Sequence, residues 1–205
     1  MKILNLYAGI GGNRKLWKDV EVTAIECDPD TIDVYKHFFP EDEVILADAH
    51  LYLIEHFQEY DFIWSSPPCP THTRFNFLTN NIPEKAKKYP DMKLYEEIIF
   101  LQNFCKKSAW VIENVISYYD PLIEPTLSDN HYFWSNFEIP FFEKSDRKIR
   151  GTAASYEYKQ ERNGFNLDRF PVNKTKKRTM INNCVLPELG EAILKNAKEW
   201  VSANQ

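Results

Sequence analysis

Short apolar runs alternate with longer segments of mixed pattern through the first half of the chain. Lys2–Tyr7, Val20–Glu26, Glu43–Ala47, Asp61–Ser66 and Ala109–Glu113 carry the compact apolar runs expected of buried strands. Between them the pattern predicts helices: a short one over Asn13–Asp19, one from Pro29 to Phe38, one over Leu51–Phe57 and a long one over Asp91–Lys107. Pro29 suits a first helical turn, where its missing N–H costs nothing. In the long helix Leu94, Ile98, Leu101 and Phe104 recur near the helical repeat. Strands separated by helices in this way imply an α/β fold, a mostly parallel sheet with helices on both faces. The stretch Pro67–Pro90 shows little regular pattern, and a loop of that length reads as a functional lid. Beyond residue 130 a strand is expected over His131–Phe137, then a polar, basic stretch containing Gly151 and Gly164, then a helix opened by Pro187 and ending near Val201.

The chain has 205 residues, of which 43% are hydrophobic and 15% aromatic, enough for one domain with a real core and unlike a disordered chain. No apolar stretch approaches a membrane span, and MKILNLYAG lacks the layout of a signal peptide; a cytoplasmic protein is expected. Cys27, Cys69, Cys105 and Cys184 form no CxxC pair, which argues against a disulfide framework or a zinc site. Cys69-Pro-Thr-His72 has half-site spacing but no partner pair, so no metal is expected. The net charge of −5 conceals an asymmetry, because residues 144–178 hold 11 Lys and Arg against 4 Asp and Glu. Phosphate contact needs a local positive face rather than a positive total. The clusters Lys144, Arg147, Lys148, Arg150 and Lys174, Lys176, Lys177, Arg178 therefore read as candidate nucleic-acid contacts or as solvated surface.

Three features carry candidate chemistry. Ala8-Gly9-Ile10-Gly11-Gly12 is a glycine turn directly after the first strand, where backbone can approach a ligand closely. Glu26 ends the second strand, placed to accept from ribose hydroxyls, and Asp48 follows the third, placed to accept from an adenine amine. A solvated strand end or a helix N-cap is the bland alternative for each acid, most of all for Asp28. Pro67-Pro68-Cys69 follows the fourth strand, and Glu113-Asn114-Val115 closes the fifth. A cysteine and a carboxylate at the ends of two strands can meet over one pyrimidine ring. Cys69 could equally be a buried, inert thiol.

With LNLYAGIGG, IECDPD, ADAH, SSPPCPTHTR, VIENV and NNCVLPELGEAIL in this order, the chain resembles the DNA (cytosine-5-)-methyltransferase family, in its short phage and prophage type. The resemblance implies a Rossmann-like fold that uses S-adenosylmethionine. It also implies that Tyr7, Ala8, Gly9, Gly11, Gly12, Glu26, Cys27, Asp48, Ala49, Pro67 and Asn183 line the cofactor pocket. Cys69 would be the nucleophile at carbon 6, Glu113 the donor to ring nitrogen 3, and Asn114 a residue that orients the loop. Asn5 stands where the family commonly carries aspartate, and Asn182 replaces its usual glycine. The family's arginine pair on a later strand has no clean match, since His131-Tyr132-Phe133-Trp134 stands there; Arg74 is the favoured substitute, with Arg147 and Arg150 behind it. The expected partner is double-stranded DNA with its cytosine flipped out. The expected organisation is a core over 1–137, a very small target-recognition segment over 138–178, and a segment over 179–205 that completes the core. RNA cytosine methylation, a non-catalytic nucleic-acid-binding subunit and an NAD-dependent oxidoreductase are the competing readings. The last leaves PPC and ENV unexplained.

Overall fold

In a computed structural model, which describes residues 1–82, 84, 86–143 and 153–204, the apolar runs become strands β1 (Lys2–Leu6), β2 (Glu21–Glu26), β3 (Glu43–Leu46), β4 (Phe62–Ser65) and β5 (Ala109–Val115). Two further strands follow, β6 (Thr126–Ser128) and β7 (His131–Ser135). They form one seven-stranded sheet of order β3-β2-β1-β4-β5-β7-β6. The first five strands pair in parallel, whereas β7 runs antiparallel to both β5 and β6. The helices are α1 (Pro29–Phe38), α2 (Ala49–His56), α3 (Arg74–Asn80), α4 (Lys93–Phe104), α5 (Ala153–Asn163), α6 (Lys174–Asn182) and α7 (Pro187–Asn204).

Alternation along the strands distributes the core to both faces. Ile3, Phe62, Trp64, Val111 and Phe133 pack under Leu189, Ile193, Leu194 and Ala197 of α7. Leu4, Leu6, Ile25, Ile63 and Ile112 point the other way, onto Leu53 of α2 and Leu94, Ile98 and Leu101 of α4. A third cluster joins Val34, Tyr35 and Phe39 to Phe165, Leu167, Met180, Ile181 and Cys184. Residues 153–182 are therefore packed against the α1 side of the sheet, and α6 runs across the boundary expected at 178/179. Among the described residues no helix is long and apolar enough to cross a membrane.

Four local expectations change. The helix expected over Asn13–Asp19 is a series of turns: Lys15 N–H donates to the Gly12 carbonyl at 3.4 Å and Trp17 N–H to that of Arg14 at 3.1 Å. The Trp17 carbonyl is taken by the Arg14 guanidinium at 2.7 Å, and Asp19 lies at φ 56, so the chain cannot continue as a helix. The expected lid contains α3, whose N-cap Thr73 accepts from Asn76 N–H at 3.2 Å. Phe104 lies 66% exposed at the end of α4, and the buried face of that helix includes Tyr95 and Glu97 instead. The strand pair β6–β7 is an antiparallel hairpin of which only the second half carried a strand pattern.

Candidate active site

PPC and ENV leave the sheet from neighbouring parallel strands, with Ser65 of β4 in register with Ile112 of β5. Both therefore open at the C-terminal edge, where open α/β sheets bind ligands. Asn114 ties them together, its buried amide donating to the Pro67 carbonyl at 2.9 Å while its Oδ1 accepts from Val115 N–H at 2.9 Å. Cys69 is a free, half-buried thiol, and its carbonyl accepts from His72 N–H at 3.0 Å to close the turn after the prolines. Burial, and then the charge of Glu113, push the Cys69 thiol up to about 11. Glu113 is buried. His72 shares a 2.6 Å hydrogen bond through Nδ1 with the Tyr119 hydroxyl, and burial lowers its pKa.

Around the glycine turn the three glycines have different reasons to lack a side chain. Gly9 sits at φ +56 with nothing within 4 Å of where a Cβ would stand, so it faces open space. At Gly11 a Cβ would meet the Phe39 ring, and at Gly12 it would come within 2.7 Å of the Cys184 Cβ. Gly11 and Gly12 are thus demanded by packing, and Gly12 brings the NNCV segment onto the turn. Tyr7 is at φ 54, and its hydroxyl donates to Glu97 at 2.6 Å. Glu26 Oε2 accepts from Gly9 N–H at 3.0 Å, while Oε1 accepts from Cys27 and Asp28 at 2.9 and 3.1 Å. A carboxylate offers about four lone-pair sites, so Oε2 retains room for one more donor. Asp48 is the N-cap of α2, accepting from Leu51 N–H at 3.1 Å, and that bond holds its carboxyl below the ordinary range. Ala49 is buried behind it, Ala8 and Pro67 are buried, and Cys27 and Asn183 are exposed.

Residues 1–117, which include the glycine turn, both strand-end acids, PPC and ENV, match the family model described as C-5 cytosine-specific DNA methylase. The chain belongs to the C-5 cytosine-specific DNA methylase family. It is similar to a tRNA (cytosine(38)-C(5))-methyltransferase from Spodoptera frugiperda, 34% identical over 90 residues, which cover 40% of this chain and 27% of that protein. Among solved structures, a mutant of DNMT2 from Spodoptera frugiperda aligns with a TM-score of 0.44 and 22% identity over 71% of this chain and 53% of that one. The Entamoeba histolytica methyltransferase EhMeth aligns with a TM-score of 0.45 and 13% identity over 76% and 62% of the two chains. The chain thus matches about a quarter of the curated relative's length and about half of the DNMT2 chain. S-adenosylmethionine is the cofactor of this C-5 methylase family, and the pocket fits it. Open space at Gly9, spare acceptor room on Glu26 and an exposed carboxylate at Asp48 suit a molecule with ribose hydroxyls and an adenine amine.

Several expectations for the site need restating. Arg74 opens α3 on the surface, with no hydrogen bond or ion pair among the described residues. Arg147 and Arg150, like Lys144 and Lys148, lie outside the described residues. In the second basic cluster Lys176 is spent on Asp28 and Asp30, at 2.7 and 2.6 Å. Asn5, in place of an aspartate, is fully buried and pairs amide to amide with Asn13, accepting at 2.9 Å. Two residues escaped sequence reasoning. Glu97 is buried and gathers Tyr7, Ser65 (2.7 Å) and His50 (3.2 Å) beneath the C-terminal edge. A carboxylate on the same stripe as Leu94 and Leu101 was the available signal. The other is His131, whose Nε2 lies 3.7 Å from Glu113 Oε1.

Proposed function

We propose that the protein methylates carbon 5 of a flipped-out cytosine in DNA through a covalent adduct at carbon 6. The observation that carries this reading is the single knot of Cys69, Pro67, Asn114 and Glu113, in which one hydrogen bond joins the PPC and ENV turns and the Glu113 charge reaches the Cys69 thiol. Carbon 5 of cytosine is too weak a nucleophile to attack a methyl sulfonium unaided. Once the thiol proton has passed to solvent, the Cys69 Sγ–C6 bond forms as the C5–C6 π electrons shift through C4 towards ring nitrogen 3, making carbon 5 enamine-like. Glu113, carrying a proton, supplies it to ring nitrogen 3 as negative charge develops there. The same proton silences the charge that otherwise opposes Cys69 ionisation, so thiolate formation and ring activation are coupled. Bound S-adenosylmethionine supplies the electrophilic methyl group. A base then takes the carbon-5 proton, the Sγ–C6 bond breaks, and nitrogen 3 returns its proton to Glu113.

A base within a duplex cannot meet Cys69 and Glu113 together, so extrusion is required, at about a few kcal/mol. The loop bearing α3 begins at the nucleophile and is the element suited to follow the extruded base. Glu26, Asp48 and the Gly9 backbone would hold the cofactor, with Tyr7 fixed beside them by Glu97.

The test uses the purified chain with labelled S-adenosylmethionine and separate DNA and RNA pools, the modified base being identified by mass spectrometry. Carbon-5 methylcytosine in DNA is the expected product, lost in Cys69→Ser. Label confined to RNA would favour the second reading, RNA cytosine methylation, which draws on the similarity to the tRNA enzyme. No label in either pool overturns both.

A further inference from the structure

Strand β7 contributes no arginine to the site, yet it places an imidazole there. In the β5–β7 ladder Glu113 lies opposite Phe133 and Val115 opposite His131. His131 and Glu113 are therefore diagonal neighbours on one face of the sheet, a spacing that long side chains bridge. Nε2 of His131 stands 3.7 Å from Glu113 Oε1, and Nδ1 stands 3.8 Å from Asp129 Oδ2. All three groups are sheltered, with side-chain exposures of 22% for His131, 10% for Glu113 and 4% for Asp129. Nδ1 is buried and has no hydrogen-bond partner among the described residues.

Asp129 is brought to this position by strained backbone. It sits at φ 49 in the β6–β7 turn, with its N–H donating to the Phe142 carbonyl at 2.9 Å and Asn130 donating to its Oδ1 at 2.9 Å. A left-handed conformation at a residue other than glycine is uncommon and clusters at functional sites. The turn is also pinned by Ser128, which donates to the Pro140 carbonyl at 2.7 Å and accepts from Phe142 N–H at 3.0 Å. What the strain achieves is a carboxylate facing one nitrogen of an imidazole whose other nitrogen faces Glu113. Separations of 3.7 and 3.8 Å are too long for hydrogen bonds. Catalytic contacts are often this long before substrate binds and shorten in the complex.

We propose that His131 is the positioning residue for Glu113. Its Nε2–H engages Oε1 and leaves the second carboxyl oxygen directed at ring nitrogen 3. This rests on the cytosine-5 reading above and adds to it a residue that acts through Glu113 rather than on the base.

The two ring nitrogens allow a test that a mere packing role would not pass. A glutamine carries its amide nitrogen the same number of bonds from Cα as Nε2, whereas an asparagine reproduces only Nδ1. The wild-type chain, His131→Gln, His131→Asn and His131→Ala are compared for the rate of covalent trapping on nucleic acid containing 5-fluorocytosine. Thermal unfolding and calorimetric S-adenosylmethionine binding serve as controls. Outer-shell partners of this kind are worth about 10–100-fold, so His131→Asn and His131→Ala should trap that much more slowly. His131→Gln should stay close to wild type, with cofactor affinity unchanged throughout. Adding His131→Ala to Glu113→Gln should cause no further loss, because the two act as one unit. Equal rates for the glutamine and asparagine variants, or independent losses in the double variant, overturn the positioning role and leave the cytosine-5 reading standing. A wild-type chain that traps no cytosine overturns both, and does so before any His131 variant is measured.

Discussion

Cys69 rests as a thiol, because burial and then the neighbouring Glu113 charge push its pKa up to about 11. The thiolate is the reactive form, so below that value alkylation by iodoacetamide should rise about tenfold per pH unit. Replacing Glu113 with Gln removes the charge that raises the pKa, so alkylation of Cys69 at fixed pH should become faster even as methyl transfer becomes slower. Peptide mass spectrometry reads this at Cys69, with the exposed Cys27 as an internal reference. Slower alkylation in Glu113→Gln would mean that the carboxylate does not govern this thiol. Glu26 gives a second residue-scale prediction. Glu26→Ala should weaken S-adenosylmethionine binding by about 1.5–3 kcal/mol for each charge-assisted bond lost. It should also lower the unfolding temperature, since Gly9, Cys27 and Asp28 lose their acceptor; calorimetry and thermal unfolding separate the two effects. Both residues were visible in the sequence from their places after apolar runs. His131 was not, because its partner lies across an antiparallel ladder whose register no local pattern encodes.

At the scale of elements, the glycine turn was legible as a turn, but the duties of its glycines were not. The atoms that exclude a side chain at Gly12 belong to Cys184, near the other end of the chain. Gly12→Ala should therefore cost about 1–3 kcal/mol by overpacking. Gly9→Ala meets no neighbour and should cost about 1–2 kcal/mol for its left-handed backbone alone. Denaturant midpoints order the two, and Cys184→Gly should relieve part of the first and none of the second. Strands β1, β2, β4 and β5 and helices α1, α4 and α7 were readable because each buries an apolar run or stripe, whereas β3 and α2 were readable from apolar runs that the fold leaves largely at the surface. Helix α3 was not, since Phe75, Phe77 and Leu78 are all exposed and leave no stripe to detect. Its signal was the Thr73 cap alone. The turns at Asn13–Asp19 were misread because Arg14 takes a carbonyl that a helix would have needed.

For the molecule as a whole, the concentration of basic residues beyond residue 143 was legible, but its use was not. Lys176 anchors α6 to the start of α1 through Asp28 and Asp30. Lys177 donates to the Asp168 carbonyl at 3.1 Å, and Arg169 lies over the Phe38 and Phe170 rings. Phe165 and Leu167, from the segment expected to recognise the target, are buried against α1 instead. Part of the segment between 153 and 178 is thus committed to packing, and base-edge contacts rather than phosphate contacts carry specificity. Methylation by this chain alone should therefore be short or relaxed in sequence preference. Bisulfite mapping of treated genomic DNA tests this, and a strict long recognition site would show that residues 138–178 discriminate far more than their packing suggests.

The closure of the glycine turn by α7 has a consequence for the order in which the molecule is made. Trp17 Nε1 donates to the Gly190 carbonyl at 3.0 Å, and a Cβ on Gly190 would strike the Asn13 carbonyl. The loop that follows β1 therefore takes its shape from a helix 173 residues further along, which is synthesised well after it. While residues beyond Cys184 are still inside the ribosome, every described strand of the sheet has already emerged, but the helix that packs on the turns after the glycines has not. Until α7 emerges, the nascent chain is a sheet whose glycine turn has yet to be closed.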